Sequence, residues 1–278
     1  MMLELNNYYI QELENLTDLF TNIFVIIDDI YNEIIPIGIR NRRNIKDSKL
    51  SDSEIITISI VGELLTIDSE KSFFSLLKRE YKELFPRLGD RTRFNRTKRN
   101  LHLVISKMSS SKLTYRNRHT KKETYFGFKF HALTTVDGFL TDYVITPANI
   151  DDRNAVWDLC NKYRSISIIG DKGYINKRLT PELKGERDID LLFLKRANSR
   201  DNYPKEVRQL LFKVRRRIET SFSQLTEQLN LNKVKSKSML GFMTRTSIKV
   251  LAHNISFLIN KLMRNDDSMA KIKRLVFG

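Results

Sequence analysis

Two rhythms of apolar residues divide the chain. From about residue 10 to residue 108 they recur three and four positions apart, the spacing of helices with one buried face. "LSDSEIITISIVGELL" places Ser51 three positions before Glu54 and then runs apolar, the capping-box signature of a helix start. "SEKSFFSLLKREYKELF" repeats the opening with Ser69 and sets Phe73, Leu76, Leu77, Tyr81 and Leu84 at helical spacing. Pro86 and Gly89 interrupt the run, and "DRTRFNRTKRNLHLVISKM" resumes as a helix with a basic first half. Short helices between tight breaks suit a helix-turn-helix DNA-binding unit. A plain helical bundle would give the same pattern.

The second half changes period. "TYFGFKFHALT" alternates Phe126, Phe128 and Phe130 with Lys129 and His131, as a strand does. Asp137-Gly138 marks a hairpin, and "FLTDYVITPAN" is its returning strand, stopped by Pro147. "DDRNAVWDLCNKY" reads as an amphipathic helix with acids at its positive end. "SISIIGD" and "IDLLFLK" read as further strands, followed by two long helices, "PKEVRQLLFKVRRRIETSFSQLTEQL" and "FMTRTSIKVLAHNISFLINKLM". The order β-β-α-β-β-α-α predicts an α/β domain with a mixed sheet.

Composition adds one strong fact. Of the 278 residues, 41% are hydrophobic, enough for a folded chain, but 49 Lys and Arg against 33 Asp and Glu leave a net charge of +16. That excess favours a polyanionic partner, nucleic acid above all, with a basic membrane-surface protein as the rival. Between Arg87 and Lys122 twelve Lys or Arg face a single acid, Asp90, which favours phosphate contacts over a merely solvated face. Its second half, "SSSKLTYRNRHTKK", has linker composition. The single cysteine, Cys160, lies in a helical pattern as a structural thiol and excludes a disulfide framework or a Cys-rich zinc site. The four histidines show no metal-ligand spacing. No apolar run reaches the ~18 residues of a membrane span, and "MMLELNNYY" is no signal peptide. A soluble cytoplasmic protein, associated with the nucleoid, is the expectation.

Candidate chemistry centres on two carboxylates. In "SIIGDKGYINKRL" a strand ends at Gly170 and Asp171 follows, a position where open α/β sheets place ligand chemistry and where ordinary turns also begin. Glu219 lies 48 residues on in "RRRIETSF", an acid in a basic helix. Such an acid is commonly a surface ion pair of small worth. Carboxylates from a strand end and a helix can also hold Mg²⁺ for phosphoryl transfer, with arginines seating DNA phosphates nearby.

"KKETYFGFKFHALTTVDGFLTDYVITPANIDDR", "IIGDKGYI", "RRRIETSFSQLTEQLN" and "LAHNISFLINKL" together closely resemble insertion-sequence DDE transposases, and "LSDSEIITISIVGELLTIDSEKSFFSLL" resembles their helical N-terminal region. The resemblance covers nearly the whole chain. It implies a helical DNA-binding region (1–108), a basic linker (109–123), an RNase H-like core with a mixed sheet and flanking helices (124–265), and a tail (266–278). It implies three acids binding Mg²⁺ or Mn²⁺, cleavage and strand transfer at the ends of a mobile element, and DNA ends and target DNA as partners, with a homo-oligomer as a further one. Carried over, Asp171 is the second acid and catalytic metal ligand, Glu219 the third. Arg215 matches the arginine one turn before that glutamate. Arg216, Lys172, Arg91, Arg93 and Arg96 are expected to contact DNA, and Tyr174 beside Lys172. Thr226 stands where many relatives carry a basic residue.

One departure is large. The family's first acid sits on a first core strand in an "IxDSxP"-like segment, yet no Asp or Glu occurs between His102 and Lys122. Asp137 and Asp142 belong to the hairpin, and Asp151 and Asp152 to a helix start. The sequence therefore predicts an incomplete core with weakened metal binding and impaired catalysis. The alternative is a non-catalytic DNA-binding remnant able to inhibit intact transposases in mixed oligomers. Loss of a central strand further predicts open sheet edges and a destabilised α/β half, with "KLTYR" (112–116) as the short segment that could be drafted in its place.

Overall fold

The computed structural model describes residues 13, 15–42, 48–110, 118–125 (backbone), 127–170, 174, 178–194 and 203–263. The chain divides into two compact units, Met1–Ser111 with Gln224–Gly278, and Lys112–Ser223. None of its described helices is long and apolar enough to cross a membrane.

The first unit is helical. Its helices are α1 (Leu16–Ile34), α2 (Ile37–Arg40), α3 (Asp52–Leu64), α4 (Glu70–Glu80), α5 (Arg91–Asn100), α6 (His102–Ser109) and, from the end of the chain, α10 (Met239–Leu262). The expected capping box opens α3: the Glu54 amide donates to Ser51 Oγ at 3.1 Å, and the Ser51 amide to Glu54 Oε2 at 2.6 Å. Ser69 caps α4 by accepting from the Ser72 amide at 3.2 Å, a single cap without the reciprocal bond. α3 is buried nearly all round, as suits a helix enclosed by α1 and α10. Glu63 at its far end takes Arg245 Nε at 2.8 Å and Lys249 Nζ, while Lys249 also donates to the Leu229 carbonyl. Ion pairs this well buried tie α10 to α3 across more than 180 residues of sequence.

The second unit carries a five-stranded sheet in the order β3-β2-β1-β4-β5. The strands are β1 (Arg118–Tyr125), β2 (Phe128–Thr135), β3 (Leu140–Pro147), β4 (Ile166–Gly170) and β5 (Ile189–Phe193), with helices α7 (Asp152–Cys160), α8 (Leu179–Arg187) and α9 (Lys205–Ser223). β1, β2 and β3 are antiparallel neighbours, and β1, β4 and β5 are parallel. Leu133 and Ile168 pack with Val156, Leu159, Leu179 and Leu183 of α7 and α8, with Cys160 buried as expected. Phe130, one strand position off that alternation, meets Phe222 of α9 edge-on at 6.0 Å. The mixed sheet therefore carries helices on both faces. The Asp137-Gly138 hairpin forms as expected, with Gly138 at φ +101° and its amide on the Thr135 carbonyl at 3.0 Å.

Three boundaries differ from the sequence reading. "TYFGFKFHALT" is two strands rather than one, because Gly127 at φ +80° turns the chain between Tyr125 and Phe128. Part of the expected linker, from Arg118, is the strand β1, and it fills the central position that was expected to stand empty. Its polar composition hid it, since a hairpin closes through its backbone without apolar alternation. "KLTYR" lies outside the described residues. Finally, residues from Gln224 onward group with the N-terminal helices rather than with the sheet. An amphipathic pattern says that a helix buries one face, not which partner covers it.

Candidate functional site

In the sheet unit β4 ends at Gly170, directly before Asp171 and Lys172, which lie outside the described residues. The next described residue, Tyr174, is only 1% exposed. Its hydroxyl lies 3.0 Å from Nδ1 of the fully buried His131, whose Nε2 is 3.0 Å from Thr146 Oγ1. This chain of hydrogen bonds ties Tyr174 to the middle of β2 and, through His131, to the end of β3. Tyr174 was expected to meet DNA; burial rules that out and gives it a positioning role. His131 was read on the polar side of its strand, and no local pattern pairs a strand histidine with a tyrosine 43 residues away.

Glu219 sits on α9. Leu211, Val214, Ile218, Ser221 and Phe222 are the buried residues of this helix, spaced three and four apart, while Arg215, Arg216 and Glu219 are exposed. The helix is fixed at its last turn by Phe222 on Phe130 and by Ser221, whose hydroxyl donates to the Gly138 carbonyl at 2.8 Å. A Cβ on Gly138 would lie 2.6 Å from Ser221 Oγ, so only glycine allows this approach. Arg215 Nε donates to Glu219 Oε1 at 3.1 Å, one helical turn apart. At about half exposure that ion pair adds little stability, but it sets a guanidinium on the carboxylate that was expected to bind metal.

Arg91, Arg93 and Arg96 belong to α5 of the helical unit and are exposed. Thr226 lies in a π-helical turn, Gln224–Gln228, where the chain passes back to that unit. The sequence-predicted residues thus fall into two sets, one on each unit.

A divalent cation needs several oxygen ligands. β1 pairs with β4 through Arg118 opposite Ile168 and His119 opposite Ile169. Thr120, Lys121 and Lys122 follow, and the strand's first acid, Glu123, is level with Phe130 on the β2 side. Nearby acids are engaged elsewhere. Asp142 is 8% exposed and accepts from Tyr163 Oη and from Lys162 Nζ at 2.8 Å. Asp151 caps α7, and Arg153 holds its carboxyl well below the usual carboxylate range. Asp152 meets Lys129 at 3.0 Å. Among the described residues no three His, Cys, Asp or Glu side chains gather as a metal site. Among the described residues, Glu219 with its arginine does not by itself make up a two-metal centre.

A family model described as a transposase DDE domain matches residues 96–239. No curated protein and no solved structure matches the chain.

Proposed function

Since the chain belongs to the DDE-domain transposases, we propose that it is a transposase by descent that binds DNA through its helical unit and has lost most of its capacity to cut it. DNA is the family's partner, and divalent metal ions are its general cofactors. The sheet, with its first strand central between an antiparallel hairpin and two parallel strands, supports an RNase H-like core. Asp171 and Glu219 are the acids left to it, with Arg215, Arg216 and Lys172 as the DNA contacts beside them.

One observation carries the loss of activity: the central strand meets β4 at Arg118 and His119 and bears no carboxylate before Glu123. A site short of one ligand gives up several kcal/mol of transition-state stabilisation. The family's chemistry would need Mg²⁺ or Mn²⁺, and the described donor set does not complete a site for either. A non-catalytic protein of the nucleoid, able to inhibit intact relatives by joining their oligomers, follows from the same observation.

The test is a cleavage assay on DNA flanking this gene, with Mg²⁺ or Mn²⁺, comparing the protein with Glu219→Ala and reading binding by gel shift. Binding without cleavage in either protein is expected. Cleavage that disappears in Glu219→Ala would overturn the impairment, and absence of binding would overturn the DNA-binding role.

A further inference from the structure

The helical unit contains an open groove of about 690 Å³. Three segments far apart in sequence line it: the start of α4, one face of α5, and the loop and first turn of α10. Its two acids are neutralised from within. Asp68 meets Lys235 at 3.1 Å and Arg245 at 3.4 Å. Glu70 meets Lys98 and accepts from Asn95 at 2.6 Å. Burial pushes the Glu70 carboxyl up, but Lys98 and Asn95 outweigh it and hold the group below its ordinary value, so it stays ionised and its partners stay occupied. What remains is a surplus of exposed cations: Lys71, Arg91, Arg99 and Lys237 line the groove, and among the described residues no carboxylate bridges to any of them. The amino ends of α4 and α10, capped by Ser69 and Ser238, also open into it and add partial positive charge.

We propose that this groove seats the sugar–phosphate backbone of duplex DNA, so that the DNA-binding surface is built from both ends of the chain. The proposal deepens the transposase reading and rests on it. Cations drawn from three segments match a spaced row of phosphates better than one small anion. Among the described residues no aromatic side chain lines the groove, which favours a duplex, with no bases to stack, over a single strand. On α5 the groove takes Arg91, Asn95, Lys98 and Arg99, while Arg93 and Arg96 lie outside it. Arg91 was legible in the sequence as a DNA contact. Lys237 was not, because nothing local connects residue 237 to residue 91.

The experiment is fluorescence anisotropy with a labelled duplex of about 30 base pairs, titrated over a range of salt. The full-length chain is compared with Arg91→Ala/Arg99→Ala/Lys237→Ala. A control removes equal charge outside the groove, at the exposed residues Lys82, Lys205 and Lys213, each changed to Ala. The groove variant should bind at least about ten-fold more weakly, with a log–log salt slope shallower by about 3. The control should lose far less. All the altered side chains are exposed, and matching thermal melts check that folding is intact. Lys71→Ala/Lys237→Ala, a milder pair, should show an intermediate loss. A groove variant that binds as well as the control overturns the groove while leaving the transposase reading standing. A wild-type protein that binds no DNA overturns both. Equal or tighter binding of a single strand, lost in the same variant, overturns the duplex assignment.

Discussion

At the centre of the helical unit lies α3, "DSEIITISIVGEL", buried almost all round and enclosed by α1 and α10. At the centre of the sheet lies β1, "RHTKKETY", in a position where a parallel or mixed sheet ordinarily places an apolar strand. α3 is held by the apolar surface it buries, at roughly 25 cal/mol per Å². β1 is held by its ladder. It pairs with β2 along all eight residues, through a hairpin closed at Gly127, but with β4 at two positions among the described residues. A core helix is selected by side chains, whereas a strand can be recruited by its neighbours' backbones. The central slot of this sheet is filled by a polar, basic strand whose first carboxylate is Glu123.

Hydrogen exchange should expose this contrast most strongly. Amides of α3 should open only with global unfolding, on the scale of 5–15 kcal/mol. Those of β1 along the β4 seam should exchange through local opening well below that scale. Equal protection of the two elements would break the comparison.

Next in size is the buried ion cluster that ties α10 to α3. Lys249→Ala leaves Glu63 buried beside Arg245 alone and should cost the helical unit about 3–5 kcal/mol in chemical denaturation. A neutral result would mean that the Arg245 pair suffices.

A pH titration sharpens the same point. His253 of α10 is fully buried beside Gln224, and burial pushes its imidazole down to about 4 from an ordinary value near 6.5. The folded state keeps it neutral while the unfolded chain takes up a proton. Stability should therefore be fully present above pH 6.5 and fall as the pH drops from 6.5 towards 4, by about 3 kcal/mol in all. Glu70, whose value is lowered, adds stability that is full above about 4.5 and is lost only as the pH falls below it. His253→Gln should flatten the profile between 6.5 and 4.5, whatever its effect on absolute stability.

The smallest expected effect belongs to the sheet unit. Tyr174→Phe keeps the ring in the core but removes the hydroxyl partner of His131 Nδ1, and should cost about 1–2 kcal/mol by thermal unfolding. A loss as large as that from Lys249→Ala would mean that the Tyr174–His131 bond carries much of the unit's stability.

Much of the architecture was legible in the residues. The capping box at Ser51 and Glu54 and the Asp137-Gly138 hairpin are local signals with local causes, and each formed where they pointed. What escaped were features decided at long range. β1 was hidden because its identity as a strand comes from its neighbours. The grouping of α10 with α3 depends on Glu63 meeting Lys249 and Arg245, and the burial of His131 depends on Tyr174. Of the candidate site, Glu219 and Arg215 could be found as a pair one turn apart, and the run without carboxylates from His102 to Lys122 was visible in the residues. That Arg215 bonds the very acid expected to hold metal needed the coordinates of α9.

The most direct test of the incomplete metal centre is Mn²⁺ binding to the full-length protein, followed by electron paramagnetic resonance in parallel with Glu219→Ala. Binding weaker than about 1 mM and unchanged by the substitution is the predicted result. Submillimolar binding abolished by Glu219→Ala would contradict it, because the chain would then have completed its site with a ligand from elsewhere.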